Sequence, residues 1–524
     1  MKTPSRNPKL AREWESCRAT NFTNEGQESQ VQNVELSSTQ TDSSTSSFKH
    51  GNKDGALSPS NPDFWSSFDA FSSFDLSFDT TCASPLANIP PGQRTSSASE
   101  ERIDGGSLPM SLTPSLEDQA MSFFFHNYVL KELATPYNHL VSLPTVSGPS
   151  SEIKVLSGMV ISIGAAGISN LRNDPGLMHA AENIYSSTIQ RLHTLLHDQN
   201  RIQKDQTMLL VLLLALYETV TCSTPQSIRT WSRHVRGATA LLSIRGPDTL
   251  HPIAVQDVHM HLRLQIIIDC LQRRMSIPHI VADWAQPARA IADEYQPAQH
   301  QLDEISGRLC QLRCSIKDGL LGGNEAIRQA VSIDSELETW SVYTPITCAF
   351  NEVFDFEHPD DVFFGCYHVY SETRVALLWN NYRTLRMLTN EIILDTCYSS
   401  EIGSAWYQQR QRLVSEQLLK KLTADICASV PPLLGYPHGS SPARVMIGTL
   451  LLWPLYTCAA QNYASPKTRE WAIIQFERIG GAMGIRLATL LGRALRARGN
   501  DTAWSVIDAE KRRKTVIQEI EENW

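Results

Sequence analysis

At residue 115 the chain changes texture, and that break constrains the fold more than any motif does. Residues 1–114 are rich in Ser, Thr, Asn, Gln and Pro and poor in Leu, Ile and Val. Ordering a backbone costs roughly 1–2 kcal/mol per residue, and such a segment has too little apolar surface to offset it. A long disordered N-terminal arm is therefore expected over 1–114. From "SLEDQAMSFFFHNYVLKEL" onward the pattern is helical. Ser115 stands where an N-cap belongs, Glu117 and Asp118 fill the first turn, and Phe124, Tyr128 and Val129 supply an apolar face.

Helix then follows helix. Met178, Ala181, Ile184, Tyr185, Thr188 and Leu192 recur at the 3.6-residue period. Trp231, Val235, Ala238 and Leu242 do the same before Gly246-Pro247 ends the run. The longest apolar run, Met208 to Tyr217, is shorter than the ~20 residues that span a bilayer. It reads as a buried core helix of a soluble protein. Further helices are predicted at 258–275, 298–320, 324–341, 367–395, 408–429, 442–463 and 467–498, with a kink at Pro454. Residues 276–297 and 350–364 read as loops, and neither long alternating strands nor a solenoid repeat is present. The expected fold class is all-α. One large multi-helix domain over 115–500 follows the arm, and a charged helix or tail occupies 501–524.

Composition narrows the chemistry. The net charge of -9 argues against a nucleic-acid binder acting through an overall positive field. The 11 cysteines are scattered without framework spacing, as reduced and mostly buried thiols of an intracellular protein would be. The N-terminus lacks the apolar core of a signal peptide, so the sequon Asn21-Phe22-Thr23 is read as idle.

Signals of catalysis or metal binding are thin. Gly164 and Gly167 in "SIGAAGISN" make neither a dinucleotide fingerprint nor a phosphate loop, and close helix packing explains them better. His193 and His197 are one helical turn apart beside Asp198, but no further ligands accompany them. His259 and His261 would point apart on a helix. Cys310 and Cys314 are an isolated C-x-x-x-C pair, read as core or half-buried thiols. With Trp231 inward, Arg233 and Arg236 fall on the outer face of their helix. In "LLWNNYRTLRML", Leu378, Trp379, Tyr382 and Leu385 form an apolar stripe, while Arg383 and Arg386 are predicted to project away from it. No nucleophile or acid–base pair is named, and no cofactor or metal is expected.

As a set, several stretches resemble the middle region of fungal-specific transcription factors of the binuclear zinc-cluster type. In 214–248 the similar residues are Tyr217-Glu218, Trp231, His234, Gly237-Ala238, Leu241-Leu242 and Arg245-Gly246-Pro247. "LLWNNYRTLRM" with Trp379 and Arg383, "LLWPLY" with Trp453 and Pro454, and 469–491 continue the likeness in order. The resemblance covers most of 120–500. It implies an all-α regulatory domain, nuclear residence and control of transcription, and no catalysis. The family's DNA-binding module carries six closely spaced cysteines sharing two zinc ions. The first 200 residues here hold only Cys17 and Cys82, so that module's zinc binding and DNA reading do not transfer.

Against that background "NPDFWSSFDAFSSFDLSFDT", residues 61–80, gains a meaning. Phe64, Trp65, Phe68, Phe71, Phe74 and Phe78 alternate with acids and serines, the composition of an activation segment. The acids keep the aromatics solvated until a coactivator groove buries them. Competing readings are a low-complexity spacer and a motif for a trafficking adaptor that reads Asp69-Ala70-Phe71. At the other end, Lys511, Arg512, Arg513 and Lys514 form a candidate nuclear import signal, set against a solvated helix face balanced by Glu519, Glu521 and Glu522. The leading expectation is a transcriptional activator or co-regulator, with a metabolic pathway as candidate target. Its partners would be a coactivator and a DNA-binding protein, so that DNA is met only indirectly. A small-molecule effector and a homodimer are further candidates, and no membrane is involved. The alternatives are a helical small-molecule-binding or scaffold protein without a transcriptional role, and an unrecognised enzyme.

Overall fold

The computed structural model describes residues 114–130, positions 133, 137, 138 and 140, and residues 151–196, 205–245, 253–282, 295–358, 361–399, 405–437 and 444–497. The candidate segments at 61–80 and 511–514 lie outside the described residues.

The first helices in chain order are α1 (Leu116–Tyr128), α2 (Ser151–Arg172), α3 (Pro175–Leu196), α4 (Asp205–Thr221), α5 (Pro225–Arg245) and α6 (Ile253–Arg273). A short α7 (His279–Ala282) precedes α8 (Tyr295–Lys317) and α9 (Gly323–Tyr343). Strands β1 (Phe350–Phe354) and β2 (Cys366–Tyr370) then interrupt the series. It closes with α10 (Thr373–Ser399), α11 (Ala405–Leu433), α12 (Val445–Ala460), α13 (Pro466–Met483) and α14 (Arg486–Ala497). The all-α expectation holds.

Successive helices pack on one another through much of the chain, and the last ones return to the first. α12 contacts α1, α13 contacts α2, and α14 contacts α4. Polar contacts fasten this closure. Arg444 Nη1 donates to the Val129 carbonyl at 3.2 Å, and Asn170 Nδ2 donates to the Gly484 carbonyl at 2.8 Å.

Local chemistry explains the element boundaries. Ser115 Oγ accepts the Asp118 N–H at 3.1 Å, capping α1, which buries Phe124 and Tyr128. A Cβ on Gly164 would come 2.0 Å from the Ala120 carbonyl oxygen, and one on Gly167 2.4 Å from the Phe123 ring. These glycines are therefore what lets α1 lie close on α2. By length and composition, Ile153–Arg172 in α2 is apolar enough to cross a bilayer, yet 67% of that window is buried by its neighbours.

Several boundaries differ from expectation, among them the predicted loop at 276–297, which holds α7 and the start of α8. The predicted helix 467–498 is broken at Gly484, whose φ of 69° is the left-handed geometry that ends α13. The predicted loop at 350–364 begins with β1, which pairs antiparallel with β2, Phe350 opposite Tyr370. β2 in turn takes the first residues of the helix expected from 367. Neither strand alternates between buried and exposed residues, so the two-residue period that would mark it is absent. α12 carries Pro454 inside its span, at the position where the kink is expected. An internal proline costs roughly 3 kcal/mol. Burial of Leu451, Leu452, Leu455 and Tyr456 around it offsets that loss.

Candidate functional site

A cavity of about 180 Å³ opens where α4, α5, α6, α10, α12 and α14 converge. Each helix sends apolar side chains to the junction: Leu216 from α4, Ile228 from α5, Leu264 and Ile268 from α6, Leu377 from α10, Leu450 from α12 and Leu487 from α14. The half-buried indoles of Trp231 and Trp453 complete the wall. Interiors pack densely, and voids larger than a water molecule are few in a domain. A space of this size among helices is the clearest feature of a binding site in the fold.

Beneath one end lies a buried polar group. Glu218 on α4 lines the cavity, and its Oε1 accepts the Tyr185 hydroxyl at 3.0 Å. His234 Nε2 on α5 stands 3.6 Å from the same oxygen, with its side chain 3% exposed. Tyr185 stacks on Tyr217, ring centroids 3.8 Å apart and 9° from parallel. Burial, reinforced by the Glu218 charge, raises the Tyr185 phenol well above its ordinary range, so it stays a donor to the carboxylate. The neighbouring Cys222 thiol is pushed up to about 12 by burial and then by Glu218. At neutral pH it is protonated and a poor nucleophile.

A second polar pair sits on the α6 wall. The Gln265 Nε2 to His261 Nε2 distance is 3.0 Å, and the His261 ring lies edge-on to Tyr137 at 5.9 Å between centroids. Burial lowers the imidazole to about 4, leaving it neutral at pH 7. Gln265 Oε1 is buried without a hydrogen-bond partner among the described residues.

The α10 surface beyond the cavity corrects the reading of its arginines. Arg383 is 1% exposed, among the largest fully buried side chains described, and Arg386 is 8% exposed. Arg383 Nη1 donates to Tyr370 Oη at 2.8 Å and Asn380 Oδ1 at 3.0 Å, and Nη2 to His368 Nδ1 at 3.2 Å. Its guanidinium lies 5.1 Å above the Phe350 ring and 5.7 Å from that of Trp379. Arg386 grips Asp334 of α9 with Nε at 3.0 Å and Nη2 at 3.3 Å, and Nη1 reaches Tyr382 Oη at 2.8 Å. Neither projects to solvent, because α9 and the β-hairpin cover the face that a lone α10 would leave open. Trp379 Nε1 is likewise tied to the Cys348 carbonyl at 2.7 Å.

Of the motif residues, Trp231 and Trp453 meet at the cavity, and His234 joins Glu218 beneath it. Gly237 and Pro454 are buried packing positions, and Arg245 ends α5. Gly246 and Pro247 lie outside the described residues. Trp379 and Arg383 belong to the hairpin network instead. Sequence reasoning named Glu218 only as part of a motif, and named Gln265 not at all. His261 was considered only with His259, although its spacing to Gln265 marks a shared helix face. His193 falls on α3 and His197 outside the described residues. No group of three or more metal-ligating side chains occurs among the described residues. Cys310 is buried and Cys314 half-buried, its Sγ 3.4 Å from Asp318 Oδ2. A surface trio, Asp355, His358 and Tyr436, was also unforeseen. The Tyr436 hydroxyl donates to Asp355 and holds that carboxyl below its usual range, so the group reads as a staple from the hairpin loop to the end of α11.

Comparison with known proteins places these features in a context. The model of the fungal specific transcription factor domain matches residues 122–485. An uncharacterized protein of Emericella nidulans is 27% identical over 172 residues, which is 30% of this chain and 36% of that relative's length. The match thus spans little more than a third of the relative. No solved structure matches the chain.

Proposed function

Because the chain belongs to the fungal-specific transcription factor domain family, we propose that it is a non-catalytic regulator of transcription acting in the nucleus. The observation that carries this reading is the family match over 122–485, which takes in α1 to α13. We assign activation to the acidic-aromatic segment at 61–80, import to Lys511–Lys514, and DNA contact to a separate DNA-binding protein. In this division of labour the helical domain is the controlling element and the arm is the output.

The activation assignment is tested by fusing residues 1–115 to a foreign DNA-binding domain and reading a reporter. Replacing Phe68, Phe71, Phe74 and Phe78 with Ala should reduce output to background. Unchanged output removes the segment from the mechanism. Replacing Lys511 to Lys514 with Ala in a tagged full chain should shift it from nucleus to cytoplasm. A chain that is cytoplasmic before and after the change supports the second reading, a helical ligand-binding protein with no transcriptional role. The cavity between α4, α5, α6, α10, α12 and α14 is what favours that alternative.

A further inference from the structure

The walls of the interhelical cavity specify the chemistry of what it can hold. An apolar cavity of about 150 Å³ accepts benzene, so the 180 Å³ found here suits one aromatic ring or two fused ones. Trp231 and Trp453 supply aromatic surface for such a ring.

Charge sets the next limit. Among the described residues lining the cavity there is no Lys or Arg, and Glu218 is the one carboxylate. That carboxylate already accepts Tyr185 Oη at 3.0 Å. A carboxylate or phosphate ligand would enter beside a like charge with no cation on the wall, and burying an unpaired ion is costly. Anions are disfavoured.

Gln265 sets the third. With His261 neutral, its Nε2 accepts from the Gln265 amide at 3.0 Å, and Gln265 Oε1 is left buried without a partner among the described residues. Turning the amide over gives His261 the oxygen and strands the amino group instead. One polar group of Gln265 is unsatisfied in either state. Gln265 lines the cavity but its unpaired oxygen is buried, so a ligand with one hydrogen-bonding group satisfies it when rotation about the broad terminal torsion turns the amide toward the space.

We propose that this cavity binds a neutral aromatic molecule of phenol to indole size, its ring against the indoles of Trp231 and Trp453 and its hydroxyl or N–H on Gln265. If the chain regulates transcription, the site is that of an effector. The binding itself does not depend on that role and is measured on the purified chain, apart from any reporter.

The test is calorimetric titration of the full-length chain with phenol, indole, benzene and benzoate. Phenol and indole should saturate with Kd below about 1 mM, the range open to ligands of so few atoms. Benzoate, with the same ring but an anionic carboxylate in place of the hydroxyl, should bind at least about tenfold more weakly, a difference near 1.4 kcal/mol. In Gln265→Leu, phenol should lose about tenfold while benzene is unchanged. Leu264→Phe should weaken all four by narrowing the space. Absence of saturable phenol and indole binding to the unaltered chain overturns the proposal, and so does benzoate binding as tightly as phenol. Those comparisons need no variant, so a misfolded substitution leaves the proposal decidable.

Discussion

Two regions of the domain bury polar groups, and they do it in opposite ways. Around α10, Arg383 and Arg386 are enclosed by partners: Asn380, His368 and Tyr370 for one, Asp334 and Tyr382 for the other. Around the cavity, Glu218 shares one oxygen between Tyr185 and His234, Gln265 keeps an unpaired oxygen, and 180 Å³ of space is left unfilled. A buried network with every member satisfied rigidifies a fold, and a partly satisfied one beside a void leaves chemistry for something else to complete. The first is scaffold and the second is where a ligand belongs.

The sharpest way to break this comparison is to remove one partner from the satisfied network. Asp334→Ala leaves the Arg386 cation with only the exposed Glu338 carboxylate, 3.5 Å away, to offset it, so the loss should fall below the about 3–5 kcal/mol of a fully broken buried pair. Urea denaturation should show this as a lower midpoint, and adding Arg386→Met should recover most of the loss. An Asp334→Ala protein as stable as the parent would mean that α9 and α10 are not locked by this pair.

A smaller effect is expected from acid. His368 accepts from Arg383, and burial, with the Arg383 charge as the next cause, lowers its imidazole to about 2. The unfolded chain takes up a proton near the ordinary histidine value of ~6.5, while the folded chain does not. The folded state therefore keeps its full stability above that value and loses about 1.4 kcal/mol per pH unit below it. His368→Asn, whose Oδ1 can still accept from Arg383, should flatten the stability profile between about pH 6 and pH 4. A profile of unchanged slope would place the acid sensitivity elsewhere, with His261, whose imidazole burial also lowers.

Enlarging a side chain separates the two regions directly. Leu378 is 0% exposed within packed α10, and Leu378→Phe should cost about 1–3 kcal/mol by overpacking. Leu264→Phe grows into the cavity and should cost under about 1 kcal/mol. Equal penalties at the two positions would mean that the cavity closes in solution. The smallest effect belongs to the surface. Arg308 pairs with Glu336 where both side chains are well exposed, so Arg308→Ala should change stability by less than about 1 kcal/mol, and less still in high salt.

Much of the scaffold could be read from the chain before folding. The Ser115 cap, the stripe from Met178 to Leu192 and the close-packing role of Gly164 and Gly167 each depend on residues within one or two helical turns, or on glycine's lack of a Cβ. The split at Gly484 was harder, because 467–498 keeps helical periodicity across the break. Only the packing of Gly484 against Asn170 and the Gly167 carbonyl fixes the turn there. The hairpin escaped notice because neither strand alternates between buried and exposed residues. The arginines of α10 were misplaced because a periodic stripe says which face is most apolar, not whether the other face will be covered.

By itself, then, the sequence determined a helical series, its caps and stripes, and the likeness that led to its family, all carried by spacings of three and four residues and by composition. Tertiary structure alone decided that Glu218 meets His234, that Asp334 meets Arg386 across 52 residues, and that Gln265 is left with an unpaired oxygen. It also decided that the converging helices leave a void. The reason is physical: backbone geometry repeats within a few residues, whereas pairing and empty volume depend on how whole helices cross, and no local spacing encodes the angle between them.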